Sequence, residues 1–374
     1  MYGMSIIIPV EGRVKLIEQL LESLRKSHLP DATIIEIIVV DSSEIPDAQA
    51  IKEACKQYDA AYYYGSKSVR AKRNMGEHKA CHEYLLFLDS DCTVSESLIS
   101  CYLNYIKREA PRQKVIAGAG PTIFQGGESW FTRLIEKSNL LTPFKAPKSE
   151  KILLWSTTSN LMVSKAAFKY VGGFREDLPF RLGGDDTDFC LRLYEAGCRI
   201  AAIPDAVCYH SWTTWSSPIS VVRRSFRWGW VQAIILKRHP RFRRIAAPGM
   251  PVYFLFCFFA ALLATALGFY IGLMAPIVFL LTTIIIHALL VAIYSTTPVR
   301  KFLNDIVLAF IECPFGFGKL LGSLSNWCLS GILYRLGIDD SEADAEFPEM
   351  VNDLWSNNIA IVVTIIFITL VSNI

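Results

Sequence analysis

The sequence predicts an α/β fold on a Rossmann-like sheet, followed by an α-helical membrane region. Three observations carry this expectation. Short, continuous apolar runs alternate with helical stretches through the first part of the chain. Two of those runs end on an aspartate, Asp41 and Asp89. The apolar excess, 52% hydrophobic residues with a mean hydropathy of +0.31, gathers after Pro251.

The elements follow in order. Met4 to Val10 reads as a buried parallel strand, and Leu16, Leu20, Leu21 and Leu24 mark a helix behind it. Ile34 to Val40 is a second strand, ending at Asp41, and Ala60 to Tyr64 a third. A polar, basic helix spans Val69 to Cys81. Tyr84 to Leu88 is a fourth strand, ending at Asp89. In such sheets ligands bind beyond the carboxyl ends of the strands. Residues 120–155, rich in Gly, Pro and aromatics, are expected as loops and a flap. Thr157 to Val163 and Arg199 to Ile203 read as strands, Asp186 to Glu195 as a helix, and Ala206 to Tyr209 as a strand-like run before His210.

Behind this domain, assigned to 1–222, the composition changes. Eight Arg or Lys residues fall between Arg223 and Arg244, and no Asp or Glu occurs between Asp205 and Asp305. Arginines alternate there with Trp228, Trp230, Val231, Ile234 and Ile235, so 223–250 is expected to be an interfacial amphipathic segment. Val252 to Ala275 and Ile277 to Tyr294 are uncharged and long enough to cross a bilayer, giving a transmembrane hairpin over 251–296. Basic residues at both outer ends, Arg241, Arg243 and Arg244 before and Arg300 and Lys301 after, put the front domain on the cytoplasmic side. The stretch 297–357 reads as an interfacial or re-entrant helix over 302–324 and an acidic loop, and 358–374 as an apolar helix short for a span. The opening run reads as a strand and not as a signal peptide.

A net charge of +3 gives no support to a nucleic-acid role. None of the ten cysteines forms a C-x-x-C pair, so neither a disulfide framework nor a zinc knuckle is expected.

Three segments carry chemistry. Asp89-Ser90-Asp91 places two carboxylates on a loop at a strand end, able to hold a divalent cation that also binds a diphosphate; Mg²⁺ and Mn²⁺ prefer such hard oxygen ligands. In Gly183-Gly184-Asp185-Asp186-Thr187-Asp188-Phe189, three carboxylates sit at a helix start. They serve either as caps or as the source of a general base beside glycines that allow close substrate approach. Arg70-Ala71-Lys72-Arg73-Asn74-Met75-Gly76 clusters cations at another helix start, suited to phosphate or to a solvated face. His78 and His82 read as an exposed helix face.

Together these segments resemble the family 2 glycosyltransferases of the GT-A fold, over roughly residues 4–230. Ser5 to Val10 and Val39 to Ser43 look like the first two strands. Arg73, Asn74 and Gly76 match the A-R-N-x-G segment, with Lys72 in place of its Ala. Asp89 and Asp91 match D-x-D, Asn160 and Gly172-Gly173-Phe174 resemble acceptor-side elements, and Asp185 to Phe189 resembles E-D-x-D-L with Asp first. The resemblance implies a mixed sheet with helices on both faces. It implies donor contacts from Pro9, Glu11, Asp41, Arg70, Arg73, Asn74 and Asp89. It implies a Mn²⁺ or Mg²⁺ ion on Asp91 and His210 with Asp89, and Asp186 as the base of an inverting transfer. Asn160, Gly184, Asp185 and Asp188 fall on the acceptor side. Arg224-x-x-Arg227-Trp228 echoes the Q-x-x-R-W motif of processive synthases with Arg for Gln, and these three residues are also placed on the acceptor side.

The expected donor is a UDP-, GDP- or dTDP-sugar. The expected acceptor is a lipid or lipid-linked molecule at the cytoplasmic membrane, with a soluble acceptor or processive synthesis as alternatives. A sugar-1-phosphate nucleotidyltransferase or a Walker-type NTPase would need a glycine-rich phosphate loop, and Glu11-Gly12-Arg13-Val14 does not supply one. A non-catalytic scaffold would have lost Asp89, Asp91 or Asp186, and all three are present.

Overall fold

A computed structural model describes residues 3–30, 33–112, 116–127, 129–136, 139–181, 183–245, 251–252, 259 and 313–337. They form two compact units, the first running to Ser217 and the second taking the described residues from Pro218 onward. The division lies five residues before the boundary expected at 222/223.

The first unit is built on an eight-stranded mixed sheet. Its strands are β1 (Gly3–Val10), β2 (Ile34–Asp41), β3 (Ala61–Tyr64), β4 (Tyr84–Leu88), β6 (Ala117–Ala119), β8 (Ile152–Leu153), β9 (Asn160–Ser164) and β10 (Ile200–Ala202), in the order β3-β2-β1-β4-β9-β6-β10-β8. The first four are parallel, with Ile6 opposite Ile37 on one side and Leu86 on the other. β9 runs antiparallel to β4 and β6. Strands β5 (Cys92–Val94), β7 (Thr122–Gln125) and β11 (Cys208–Ser211) make a separate small sheet in the order β5-β11-β7.

The continuous apolar runs of β1 and β4 follow from helices on both faces. Ile6, Ile8, Leu86 and Leu88 pack with α1 (Val14–Arg25), α2 (Asp47–Gln57) and α4 (Leu98–Glu109). Ile7, Leu85 and Phe87 pack on the other face with α7 (Lys165–Tyr170) and α8 (Asp185–Glu195). On that face Gly76 of α3 (Val69–Lys79) lies against Ile7, so close that a β-carbon there would meet its side chain at 2.4 Å.

Two expectations need correction here. The basic helix α3 is not a solvated face, because Arg70, Lys72 and Arg73 are buried. The stretch 120–155 is not a run of loops. It holds β7, α5 (Trp130–Glu136), α6 (Thr142–Lys145), two single-turn 3₁₀ helices and β8. Its aromatic and aliphatic side chains Phe124, Ile135, Leu141 and Phe144 are buried. Every cysteine among the described residues is a free thiol.

The second unit pairs α9 (Pro218–Arg238) with α10, the helix over 313–325. A 3₁₀ turn (Pro240–Phe242), α11 (Ser330–Leu333), and the antiparallel pair β12 (Arg243–Ile245) and β13 (Tyr334–Leu336) complete it. The helices touch backbone to backbone. A β-carbon at Gly229 would lie 1.9 Å from the Phe315 carbonyl oxygen, and one at Gly318 would lie 1.9 Å from that of Phe226. Val231, Ile234 and Ile235, expected to enter a membrane interface, are buried. Among the described residues no helix is long and apolar enough to cross a membrane. The hairpin expected over 251–296 falls outside the described residues apart from 251, 252 and 259, and so does the run 358–374 entirely. Of the helix expected over 302–324, residues 313–324 are described and belong to α10.

Candidate active site

The site begins where β4 ends. Its hydrophobic residues fix Leu88 in the core, and the chain then turns through Asp89, Ser90 and Asp91 into β5. β5 pairs with β11 so that Cys92 faces His210 in register, and the Ser211 N–H donates to the Asp91 carbonyl at 2.9 Å. Strand register thus brings His210 to Asp91 across a long stretch of sequence. Nε2 of the imidazole lies 3.3 Å from Oδ1 of the carboxylate, and both side chains are about 5% exposed. The other ring nitrogen, Nδ1, faces the Ser211 carbonyl oxygen at 3.0 Å. A carbonyl only accepts, so Nδ1 carries the proton and the lone pair of a neutral ring is on Nε2, aimed at a carboxylate. Phe124 of β7 stacks on the imidazole, centroids 4.6 Å apart, and Trp212 and Trp215 back that ring.

These residues fit a divalent ion. Two electron-pair donors face one another, and a histidine bound to metal commonly donates its second N–H to a backbone carbonyl. Asp91, Cys92 and His210 bring one ligand atom each within 4.8 Å of one another. Burial, and then the neighbouring Cys208, push the Cys92 thiol well above its usual range. Of the three, the Asp91 carboxylate is the hard oxygen donor that Mn²⁺ and Mg²⁺ prefer, and the His210 imidazole lies beside it. Asp89 does not join this group. Its Oδ1 accepts from Nη2 of Arg73 at 2.8 Å.

Arg73 links the two acidic motifs, since its Nη1 donates to Oδ2 of Asp185 at 2.5 Å. Arg70 donates to the carbonyls of Leu178 and Gly183, both at 3.1 Å. Asn74 receives the Phe174 N–H at 2.9 Å and donates to its carbonyl at 2.8 Å. Arg70 and Asn74, expected to face the donor, are therefore turned toward the loop before α8, and Arg73 lies between Asp89 and Asp185. Lys72 likewise donates to the Val10 carbonyl at 2.5 Å, and burial pulls its pKa down to about 8. Pro9 is buried at the end of β1, and Glu11 is exposed. Asp41 is fully buried; its carboxylate accepts from the Ser43 N–H and hydroxyl at 2.8 and 2.5 Å and from the Tyr62 hydroxyl at 2.9 Å.

The three carboxylates of α8 have different surroundings. Asp185 is held by Arg73 and by the Gly183 N–H at 3.1 Å. Asp188 is held by Arg192 at 2.8 Å and Arg175 at 3.3 Å. Asp186 receives only the Thr187 N–H at 2.8 Å and its hydroxyl at 3.4 Å, and among the described residues no cation pairs with it. Burial, then the charge of Asp185, push its pKa from 3.8 up to about 7. Gly183 and Gly184, with φ of 104° and 75°, form the turn that presents it, a geometry that disfavours side chains. Asn160, expected on the acceptor side, is fully buried. It donates to the carbonyls of Pro121 and Ala206 and accepts from the Tyr102 hydroxyl, so it ties strands together.

In the second unit, Arg223, Arg224 and Arg227 line a cavity of about 540 Å³ with Ser220, Val222, Phe226 and Pro314. Trp228 is half-buried. Sequence reasoning missed Arg13, whose Nη1 donates to Oδ2 of Asp91 at 2.8 Å. Its backbone is left-handed, φ 64° and ψ 41°, which costs a non-glycine residue about 1–2 kcal/mol. The one available signal was the Gly12-Arg13 step one residue beyond the end of β1.

Residues 84–295 match the profile described as Glycosyl transferase family group 2. The chain is 26% identical over 254 residues to the pre-mycofactocin glycosyltransferase of Mycobacterium tuberculosis, covering 63% of this chain and 48% of that protein, so it spans about half of that relative's length. It is also 26% identical over 248 residues to the rhamnosyltransferase WbbL of Escherichia coli, covering 60% of this chain and 88% of that one. Among solved structures, the mannosyltransferase PcManGT of Pyrobaculum calidifontis, in complex with GDP-Man and Mn²⁺, superposes with a TM-score of 0.54 at 15% identity. The match covers 85% of this chain and 86% of that one, and it supports a GT-A-like α/β fold.

Proposed function

The chain belongs to glycosyl transferase family group 2, and from that premise we propose that it transfers a sugar from a nucleotide-diphosphate sugar to an acceptor hydroxyl with inversion. The observation that carries this reading is the difference among the α8 carboxylates. Asp185 and Asp188 are held by guanidinium groups and Asp186 is left to act as a base. A base with a pKa near the working pH combines a sufficient ionised fraction with useful basicity.

In the proposed reaction Asp186 accepts the proton of the acceptor hydroxyl. The hydroxyl oxygen forms a bond to the anomeric carbon as the bond from that carbon to the diphosphate oxygen breaks. One displacement inverts the centre, and the nucleoside diphosphate leaves. Asp91 and His210 would hold Mn²⁺ or Mg²⁺, which when bound neutralises charge on the leaving diphosphate. Arg73 keeps the two acidic loops in fixed relation. A relative bound to GDP-Man and Mn²⁺ supports the donor class and the ion.

For the acceptor we favour a lipid or lipid-linked molecule at the cytoplasmic membrane face. The uncharged apolar runs Val252 to Ala275 and Ile277 to Tyr294 support membrane attachment, and the arginine-lined cavity on α9 supports an anionic group on the acceptor. The test is turnover of UDP-, GDP- and dTDP-sugars by purified protein with Mn²⁺ or Mg²⁺, with and without lipid-phosphate acceptors. Metal-dependent release of a nucleoside diphosphate is expected. No turnover of any donor by a folded, metal-loaded protein would sink the proposal.

A further inference from the structure

The carboxylate expected to hold the ion already has a cation on it. Oδ1 of Asp91 faces His210, and Oδ2 accepts from Nη1 of Arg13 at 2.8 Å. The two ends of this ion pair differ. The Asp91 side chain is 6% exposed, whereas that of Arg13 is 42% exposed. The carboxylate is fixed between β4 and β5, while the guanidinium reaches it from solvent. Arg13 stands at the N-cap of α1, where a donor-only guanidinium cannot accept from a helix N–H, and its side chain reaches Asp91 instead. Gly12 before it is also left-handed, with φ 65°, and its N–H is held by the Ser43 hydroxyl at 2.6 Å. That turn directs the arginine across the strand end.

We propose that Arg13 is a displaceable counter-cation of Asp91. Its guanidinium competes with the divalent ion for that carboxylate until an anionic diphosphate draws it away. The inference rests on the metal reading above. In the donor-free enzyme Asp91 is neutralised from within, and the ion is held weakly. A diphosphate offers the guanidinium other oxygens, frees Oδ2 and tightens the ion. Metal and donor then bind cooperatively, and the pair is coupled through one exposed side chain.

The test uses the full chain and Mn²⁺ alone, with free Mn²⁺ followed by electron paramagnetic resonance. Arg13→Gly is suited to the left-handed backbone and removes the charge, so the fold is expected to persist. It should bind Mn²⁺ about twofold to fivefold more tightly than wild type, the range for loss of a half-exposed ion pair. Arg13→Lys should remain near wild type. Inorganic pyrophosphate should tighten Mn²⁺ on the wild type more than on Arg13→Gly. Unchanged or weaker Mn²⁺ binding by Arg13→Gly, equal tightening by Arg13→Lys, or an equal pyrophosphate effect in both proteins overturns the inference. Asp91→Asn separates the two levels. If it abolishes Mn²⁺ binding while Arg13→Gly changes nothing, only the role of Arg13 is wrong. If Asp91→Asn binds Mn²⁺ as wild type does, the metal reading beneath it is wrong as well.

Discussion

Asp89 and Asp185 share one guanidinium: Nη2 of Arg73 donates to the first at 2.8 Å and Nη1 to the second at 2.5 Å. The fork geometry of arginine permits this double contact, and a lysine could not span it. Arg73 also lies over the Phe174 ring, 5.5 Å from its centroid, so its orientation is set on three sides.

Replacing Arg73 should therefore damage stability and turnover together. Arg73→Ala leaves buried Asp185 with the more distant Arg70, 3.9 Å away, and should cost less than the ~3–5 kcal/mol of a buried charge stripped of every partner. Arg73→Lys should retain part of the stability but lose turnover, because one ammonium cannot hold both loops. Denaturant unfolding and kcat measured on the same samples check this. Wild-type turnover in Arg73→Lys would show that the bridge is dispensable.

Asp186→Asn should lower kcat by about 10²–10⁴ with little change in donor KM. In the wild type, kcat should rise with pH and level off above about 7, where the carboxylate is ionised. Stability should respond in the opposite direction. The folded pKa lies above the unfolded one, so the contribution of Asp186 is fully present below about pH 4 and is lost as pH rises through 7. Melting curves across pH should show this loss in the wild type and not in Asp186→Asn. A variant of normal kcat would place the base on another residue.

Chelation should abolish transfer, and added Mn²⁺ should restore it. His210→Gln should weaken Mn²⁺ binding, measured by calorimetry. Phe124→Leu should do so to a smaller extent, because the stacked ring at 4.6 Å would no longer hold the imidazole plane. Full activity in excess chelator would remove the metal from the mechanism.

The arginines of α9 can be tested on the acceptor side. Arg224→Ala and Arg227→Ala should raise KM for a lipid-phosphate acceptor while donor hydrolysis without acceptor stays at its wild-type rate. Unaltered KM for every lipid acceptor tried would argue for a soluble one.

In the second unit, Gly318→Ala should destabilise α9 against α10 by more than the ~1–3 kcal/mol of ordinary overpacking, since the added carbon would sit 1.9 Å from the Phe226 carbonyl oxygen. Limited proteolysis should cut the variant within 218–245 earlier than the wild type. Identical digestion patterns would mean that the helices can separate at little cost.

Much of the sheet was legible because burial on both faces leaves continuous apolar runs. Tyr84–Leu88 appears as read, and β1 and β2 differ from their readings by one residue. The amphipathic α2 and α4 escaped notice, although the spacing of Leu98, Tyr102, Leu103 and Ile106 is helical. The acidic motifs were visible because carboxylates at strand and helix ends are conspicuous. What each carboxylate pairs with was not visible. The contacts of Arg73 with Asp185 and of Arg13 with Asp91 join residues far apart in sequence, and only strand order and register bring them together. The same is true of Asn160. An amide near the acceptor side reads as a contact, but Asn160 makes its hydrogen bonds inside the protein, accepting from Tyr102 and donating to the Pro121 and Ala206 carbonyls.

The small sheet β5-β11-β7 draws on three separated stretches, the last ending at Ser211. Asp91 and His210 become neighbours only when that last strand has been added. A chain still being synthesised, or one truncated before β11, therefore lacks the pair, and any divalent-ion affinity that the pair confers would report completed assembly. Because an ion bound only to the finished fold stabilises it by mass action, added divalent ion is expected to raise this protein's resistance to unfolding, independently of any sugar transferred.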